Sequence, residues 1–245
     1  MILAIAAAAA AAAAGAPPPS TAEIASKVEC ASRQGVEAAL CLAMLHASAN
    51  RYADAAEQFE KAAELSRVIA STLGDPRTDR ALAAAGNMWI AAGQPGKAAF
   101  ALDKALAGKG LEAQQRGEAL LDRARAAEAQ GDLKTARART SEAAATIAED
   151  PFYWYFSAAL AIREGDGGTA RTAIGRALAL APSDPLVLFE AGHVADFNGD
   201  QAAARSYWMR AAGSDPGGEV GKAAAKAVEM LGVTPAVKNE AIPAK

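Results

Sequence analysis

The sequence repeats itself at a period of 34 residues over its C-terminal half. A shift of 34 residues aligns three Gly-Asp pairs and two Asp-Pro pairs. A fixed period of this length indicates a solenoid, because one short unit can bury its apolar face only against neighbouring units. The aligned pairs are Gly131-Asp132, Gly165-Asp166 and Gly199-Asp200, with Asp150-Pro151 and Asp184-Pro185.

The unit at 185–218 predicts two helices that pack face to face. Its first apolar stripe follows the i, i+3, i+4, i+7 spacing of one helix face, and Asn198-Gly199-Asp200 supplies a helix end and the next N-cap. Alanine dominates an apolar fraction of 52%, which favours helices over strands. The first stripe is Leu188, Ala191, Gly192 and Ala195, and the second is Ala204, Trp208 and Ala211, with Pro216 after it.

This spacing resembles that of the tetratricopeptide repeat (TPR) family. The resemblance implies an all-α fold, a right-handed superhelical solenoid of about five helix-turn-helix repeats within residues 36–218. We predict a linker and an N-terminal helix at 15–35, a capping helix at 219–231 and a flexible tail at 232–245. The predicted repeats are 36–69, 79–112, 117–150, 151–184 and 185–218.

The N-terminal segment predicts export. Residues 1–16 carry no charged side chain, and the small residues Ala14-Gly15-Ala16 follow the apolar run. This pattern is typical of a signal peptide, which we expect at 1–14, with the periplasm as the expected compartment. The run is too short and too rich in alanine for a stable membrane anchor.

Cys30 and Cys41 are the only cysteines of the sequence. On one continuous helix they would lie about 16 Å apart, but the turn formers from Ser32 to Gly35 can bring two helices together. An exported chain lives where disulfides persist, so we predict a disulfide between them. The alternative is two buried small apolar side chains.

Charge and motifs argue against several classes of function. The net charge is −3 without a basic stripe, which argues against a nucleic-acid partner. Gly165–Gly168 fits a turn between helices better than a phosphate loop, and His46 and His193 are too few for a metal site. We therefore expect neither a catalytic residue nor a cofactor. Asp122, Glu128, Glu190 and Asp196 fit ordinary solvated helix faces.

A second stripe on the first helices suggests a binding groove. In TPR-like arrays these faces line the concave side, and the stripe here is polar in the middle repeats and aromatic in the last two. This suits a peptide with an apolar anchor and a charged segment. The alternative is that the aromatic side chains only pack between adjacent repeats. The predicted groove residues are Asn87, Arg125, Tyr155, Phe189, His193 and Phe197.

The sequence therefore predicts a non-enzymatic protein-protein interaction scaffold of the cell envelope that binds a protein or peptide. Two alternatives stay open. One is a non-catalytic subunit or recognition arm of a peptidoglycan-processing enzyme complex in the envelope. The other is a cytoplasmic TPR adaptor whose alanine run is not a signal.

Overall fold

The computed structural model describes residues 28–30, 32–69 and 76–231, and the regular structure in these ranges is helical. The predicted signal peptide, residues 15–27 of the predicted linker and the predicted tail lie outside the described residues. Residues 28–30 are helical. The helices that follow are α1 (Gly35–Ser48), α2 (Tyr52–Ile69), α3 (Pro76–Ala91), α4 (Pro95–Ala107), α5 (Ala113–Ala129), α6 (Leu133–Ile147), α7 (Pro151–Arg163), α8 (Gly167–Leu180), α9 (Pro185–Phe197), α10 (Gln201–Ser214) and α11 (Glu219–Leu231).

The chain forms two compact units, Met1–Ile147 (unit 1) and Ala148–Lys245 (unit 2). In unit 1, each helix from α1 to α6 packs against the next, and α3 also packs against α5. In unit 2, α7 to α11 pack in the same way, and α9 also contacts both α7 and α11. These contacts confirm the prediction of an all-α helical repeat fold.

Two helices begin several residues before the predicted repeat boundaries. Helix α3 begins at Pro76, three residues before the predicted repeat, and α5 begins at Ala113, four residues before its repeat. Proline is well suited to the first turn of a helix because it needs no backbone donor there. At α5, the side chains of Glu112 and Gln115 form a reciprocal capping box.

Each repeat ends its first helix at a residue with positive φ. Glycine occupies four of these positions because it has no Cβ to clash in the left-handed conformation, and Asn50 occupies the fifth. In three repeats an aspartate follows the glycine and caps the second helix, as when Asp166 Oδ1 accepts the Thr169 N–H at 2.9 Å. The Gly-Asp pairs thus perform the two tasks predicted for them. The glycines, with their φ values, are Gly93 (69°), Gly131 (81°), Gly165 (80°) and Gly199 (81°).

The core consists mainly of alanine side chains. A few large side chains pack directly against glycines on the neighbouring helix. A Cβ on Gly192 would overlap the indole of Trp208, and a Cβ on Gly86 would overlap the side chain of Leu102. Trp208 is buried, and its Nε1 donates a hydrogen bond to the Phe189 carbonyl at 3.0 Å. Each glycine therefore leaves a space that the large side chain of the partner helix fills.

Cys30 and Cys41 are joined by a disulfide, with their Cα atoms 5.4 Å apart. Cys30 lies on the helical residues 28–30, and Cys41 lies on α1. Between them the chain turns, and the Arg33 N–H donates a hydrogen bond to the Cys30 carbonyl at 3.2 Å. The bond therefore fastens the helical residues before the turn to the first helix of unit 1.

Candidate partner-binding faces

The predicted groove residues occupy first helices in both units. Asn87 lies on α3 and Arg125 on α5, both in unit 1, whereas Tyr155 lies on α7 of unit 2. Helix α9 of unit 2 carries Phe189, His193 and Phe197. The structure brings Asn87 and Arg125 together around a shared acid, and it brings Phe189 and His193 into ring contact.

In unit 1, Asp122 on α5 joins the two predicted residues into a polar network. Asn87 Nδ2 donates to Asp122 Oδ2 at 2.8 Å, and Arg125 Nη1 donates to Asp122 Oδ1 at 2.7 Å. The Asp122 side chain is only 14% exposed. The interpretation of Asp122 as an ordinary solvated acid was therefore wrong. Its three-residue spacing from Arg125 was the available signal, because residues at i and i+3 meet on a helix.

In unit 2, Phe189 belongs to the core, so the prediction that its ring lines a groove needs correction. The side chain is 5% exposed and packs in a cluster with Leu188, Trp208 and Ala224, which is built from α9, α10 and α11. Its ring meets the edge of the His193 ring at 4.5 Å between centroids. The alternative, in which this aromatic packs between adjacent helical units, describes Phe189 correctly.

His193 is half-buried and contacts two aromatic side chains. Its ring centroid lies 5.3 Å from that of Trp208 and 4.5 Å from that of Phe189, and both contacts are edge-to-face. Burial lowers the pKa of His193, and the nearby Asp196 carboxylate opposes this shift. The imidazole is therefore neutral at pH 7.

Four residues of α9 form what we call the α9 stripe: Leu186, Glu190, His193 and Phe197. Their spacing of i, i+4, i+7 and i+11 aligns them along one side of the helix. The apolar side chains at the two ends of the stripe are exposed to solvent: Leu186 is 40% exposed and Phe197 is 41% exposed. On α7, Tyr155 is half-buried and its ring stacks on Phe152 with centroids 5.4 Å apart.

Glu190 is an acid that is mostly buried without a bonded partner. Its side chain is 8% exposed and makes neither a hydrogen bond nor an ion pair with any residue that the structure describes. Burial raises the pKa of Glu190 to about 8, because the charged form loses its hydration. The interpretation of Glu190 as a solvated carboxylate was therefore wrong, and nothing in its local sequence indicates that it is buried.

No cluster of three or more His, Cys, Asp or Glu side chains in residues 28–30, 32–69 and 76–231 could hold a metal ion. Within the same ranges, every helix is too short or too polar to cross a membrane.

Comparisons with known proteins identify the fold. No family model matches the sequence, and no curated protein sequence matches it. Among solved structures, BtubC from P. vanneervenii is 18% identical with a TM-score of 0.65, covering 92% of this chain and 99% of its own. A tetratricopeptide repeat protein from Parabacteroides merdae is 13% identical, also with a TM-score of 0.65, covering 86% of this chain and 76% of its own.

A third solved structure is YrrB, a TPR protein with an unusual peptide-binding site. It is 19% identical to this chain, with a TM-score of 0.51, and the match covers 77% of this chain and 91% of YrrB. At identities this low the likeness concerns the fold alone. The chain has the fold of TPR proteins.

Proposed function

We propose that the protein is a non-enzymatic scaffold that binds a protein or peptide partner through the exposed faces of its first helices. The observation that carries the proposal is the α9 stripe, where Leu186 and Phe197 stay 40% and 41% exposed on a helix that buries its other large apolar side chains. Open apolar side chains near polar groups are typical of peptide-recognition surfaces. The likeness to YrrB, a TPR protein with a peptide-binding site, supports the same class of partner.

A binding experiment on matched variants tests this proposal. We expect Leu186→Ala and Phe197→Ala to reduce recovery of a specific protein from envelope extracts by about tenfold each, since buried aromatic or aliphatic anchors contribute roughly 1 to 3 kcal/mol. Tyr155→Ala tests the neighbouring helix α7 in the same assay. Met209→Ala on α10 removes a side chain that is even more exposed, at 59%, and we expect it to have no effect.

Circular dichroism of each variant separates loss of binding from loss of folding. If folded stripe variants recover the partner as well as the unaltered protein does, the α9 stripe is not the binding face. If Met209→Ala is equally damaging, the contact is non-specific.

We propose further that the protein acts in the cell envelope after export to the periplasm. The disulfide between Cys30 and Cys41 supports this, because such bonds persist in oxidising compartments and are rare in the cytosol. The apolar run at 1–14 with its small residues supports it as well. We expect N-terminal sequencing of the periplasmic protein to begin near Gly15. Full-length protein in the cytosol with two alkylatable thiols would contradict the proposal.

A further inference from the structure

We propose that the Glu190 carboxylate, at the base of the α9 stripe, binds the basic side chain of a lysine or arginine in the partner peptide. This inference rests on the proposed function and names the chemistry of its partner. The Glu190 side chain is 8% exposed and accepts no hydrogen bond from the described residues, so its carboxyl group loses most of its hydration without compensation. A charged donor from outside the chain would supply the missing interaction.

The internal repeat shows which partners Glu190 lacks. Asp122 lies 68 residues earlier, at the same position two repeats before, and Asn87 and Arg125 both donate to it. The residues that correspond to Asn87 and Arg125 in unit 2 are Ala159 on α7 and His193 on α9. Alanine has no side-chain donor, and the His193 ring contacts the rings of Phe189 and Trp208. The same acidic position is therefore satisfied in unit 1 and left open in unit 2.

The surroundings of Glu190 favour a long basic side chain over other ligands. Leu186 and Phe197 are open at either end of the stripe, so they can pack against the methylene groups of lysine or arginine. His193 is neutral at pH 7 and does not compete as a cation, because burial lowers its pKa. Asp196, one turn away from His193 on the solvent side, adds negative charge to the same helix end. An acidic ligand would be repelled by Asp196 and would oppose the ionisation of Glu190.

Calorimetric titration with a defined peptide series tests the inference. The probes are acetyl-Ala-Leu-X-Leu-Ala-amide, where X is lysine, arginine, norleucine, glutamine or glutamate. Norleucine keeps most of the lysine stem and removes its charge. We expect the lysine and arginine peptides to bind the unaltered protein at least tenfold more tightly than the norleucine peptide, and the glutamate peptide to bind most weakly.

Three variants assign the preference to Glu190. Glu190→Gln keeps the shape of the protonated acid, and we expect it to bind the lysine and norleucine peptides equally. Ala159→Asn recreates in unit 2 the donor that Asn87 provides in unit 1, and we expect it to reduce the lysine preference several-fold. Asp122→Asn removes the corresponding acid of unit 1, and we expect it to leave the preference unchanged.

A second measurement on the unaltered protein keeps the test independent of variant folding. With glutamate labelled at its side-chain carbon by carbon-13, we expect the Glu190 carboxyl resonance to move to the ionised position when the lysine peptide is added, and to stay in place with norleucine. Equal affinity for the lysine and norleucine peptides, or a preference that survives in Glu190→Gln, would overturn the role of Glu190 and leave peptide binding itself intact. Absence of binding by every peptide would overturn both.

Discussion

Unit 1 and unit 2 share one helix-turn-helix plan but treat the polar groups of their first helices differently. In unit 1, Asp122 lies in a network with Asn87 and Arg125, so its charge is satisfied within the chain. In unit 2, Glu190 occupies the equivalent repeat position without such a partner, beside the aromatic contacts of His193. The repeat position therefore fixes where a side chain lies on its helix, whereas the side chains of the neighbouring repeat decide whether it is paired within the chain or available to a ligand.

The largest expected effect comes from removing the big core side chain of each unit. Trp208→Ala in unit 2 and Trp89→Ala in unit 1 should each cost about 3 to 5 kcal/mol, because both indoles are buried. In a repeat array this loss stays local. Hydrogen exchange should therefore show lost protection in α9 to α11 for Trp208→Ala and in α3 and α4 for Trp89→Ala. Uniform loss over all described helices would contradict two separate units.

The pH dependence of unit 2 provides the next largest effect. The pKa of Glu190 is raised to about 8 from 4.5, so the folded state keeps a proton that the unfolded state loses above pH 4.5. The contribution of protonated Glu190 to the free energy of unfolding is fully present below pH 4.5. It falls by up to about 4 kcal/mol as the pH rises to 8. Urea unfolding of the protein and of Glu190→Gln between pH 5 and 8.5 isolates this contribution as a difference. Parallel pH profiles for the two proteins would show that Glu190 does not titrate in this range.

Reduction of the disulfide should have a smaller effect that is confined to unit 1. The bond closes a short loop between Cys30 and Cys41, and chain entropy gives roughly 2 to 3 kcal/mol for a loop of this size. Hydrogen exchange after reduction, or of the Cys30→Ser/Cys41→Ser protein, should show faster exchange in α1 and α2. Unit 2 is the internal control, and a comparable change in α9 would argue against a local effect.

The smallest predicted effect concerns the polar network of unit 1. Asp122→Asn keeps the side-chain shape but weakens two hydrogen bonds to a charged acceptor, which should cost about 1 to 2 kcal/mol. Thermal unfolding measures the stability change in this variant and in Glu190→Gln, the matched change in unit 2. At pH 8 we expect Asp122→Asn to destabilise and Glu190→Gln to stabilise. The same sign for both would show that the two acids are equivalent.

Helix type and turn positions were predictable because they depend on local chemistry. Gly131-Asp132 and its equivalents combine a left-handed helix end with an N-cap, and both tasks follow from the residue types alone. The apolar stripe does not predict the early starts of α3 and α5. Pro76 and the capping box at Glu112 begin these helices before that stripe does.

The candidate site was less predictable because burial depends on neighbouring helices. The burial of Phe189 depends on how α10 and α11 pack over α9. The spacing of apolar residues along α9 does not predict this packing. Glu190 and Asp122 are both acids on amphipathic helices, yet only their surroundings distinguish a paired group from an unpaired one. The disulfide was easier, because a turn between two cysteines is a local feature.

The two glycines that pack against large side chains limit which substitutions this chain can accept during evolution. The space at Gly192 is filled by Trp208 and the space at Gly86 by Leu102, so neither residue of a pair is free to vary alone. A methyl group added at Gly192 collides with the indole, and a smaller residue at position 208 leaves a void. Neutral drift at these positions therefore requires two coordinated substitutions. Surface positions of a repeat can change one at a time, whereas the two residues of each packed pair inside a helical hairpin must change together.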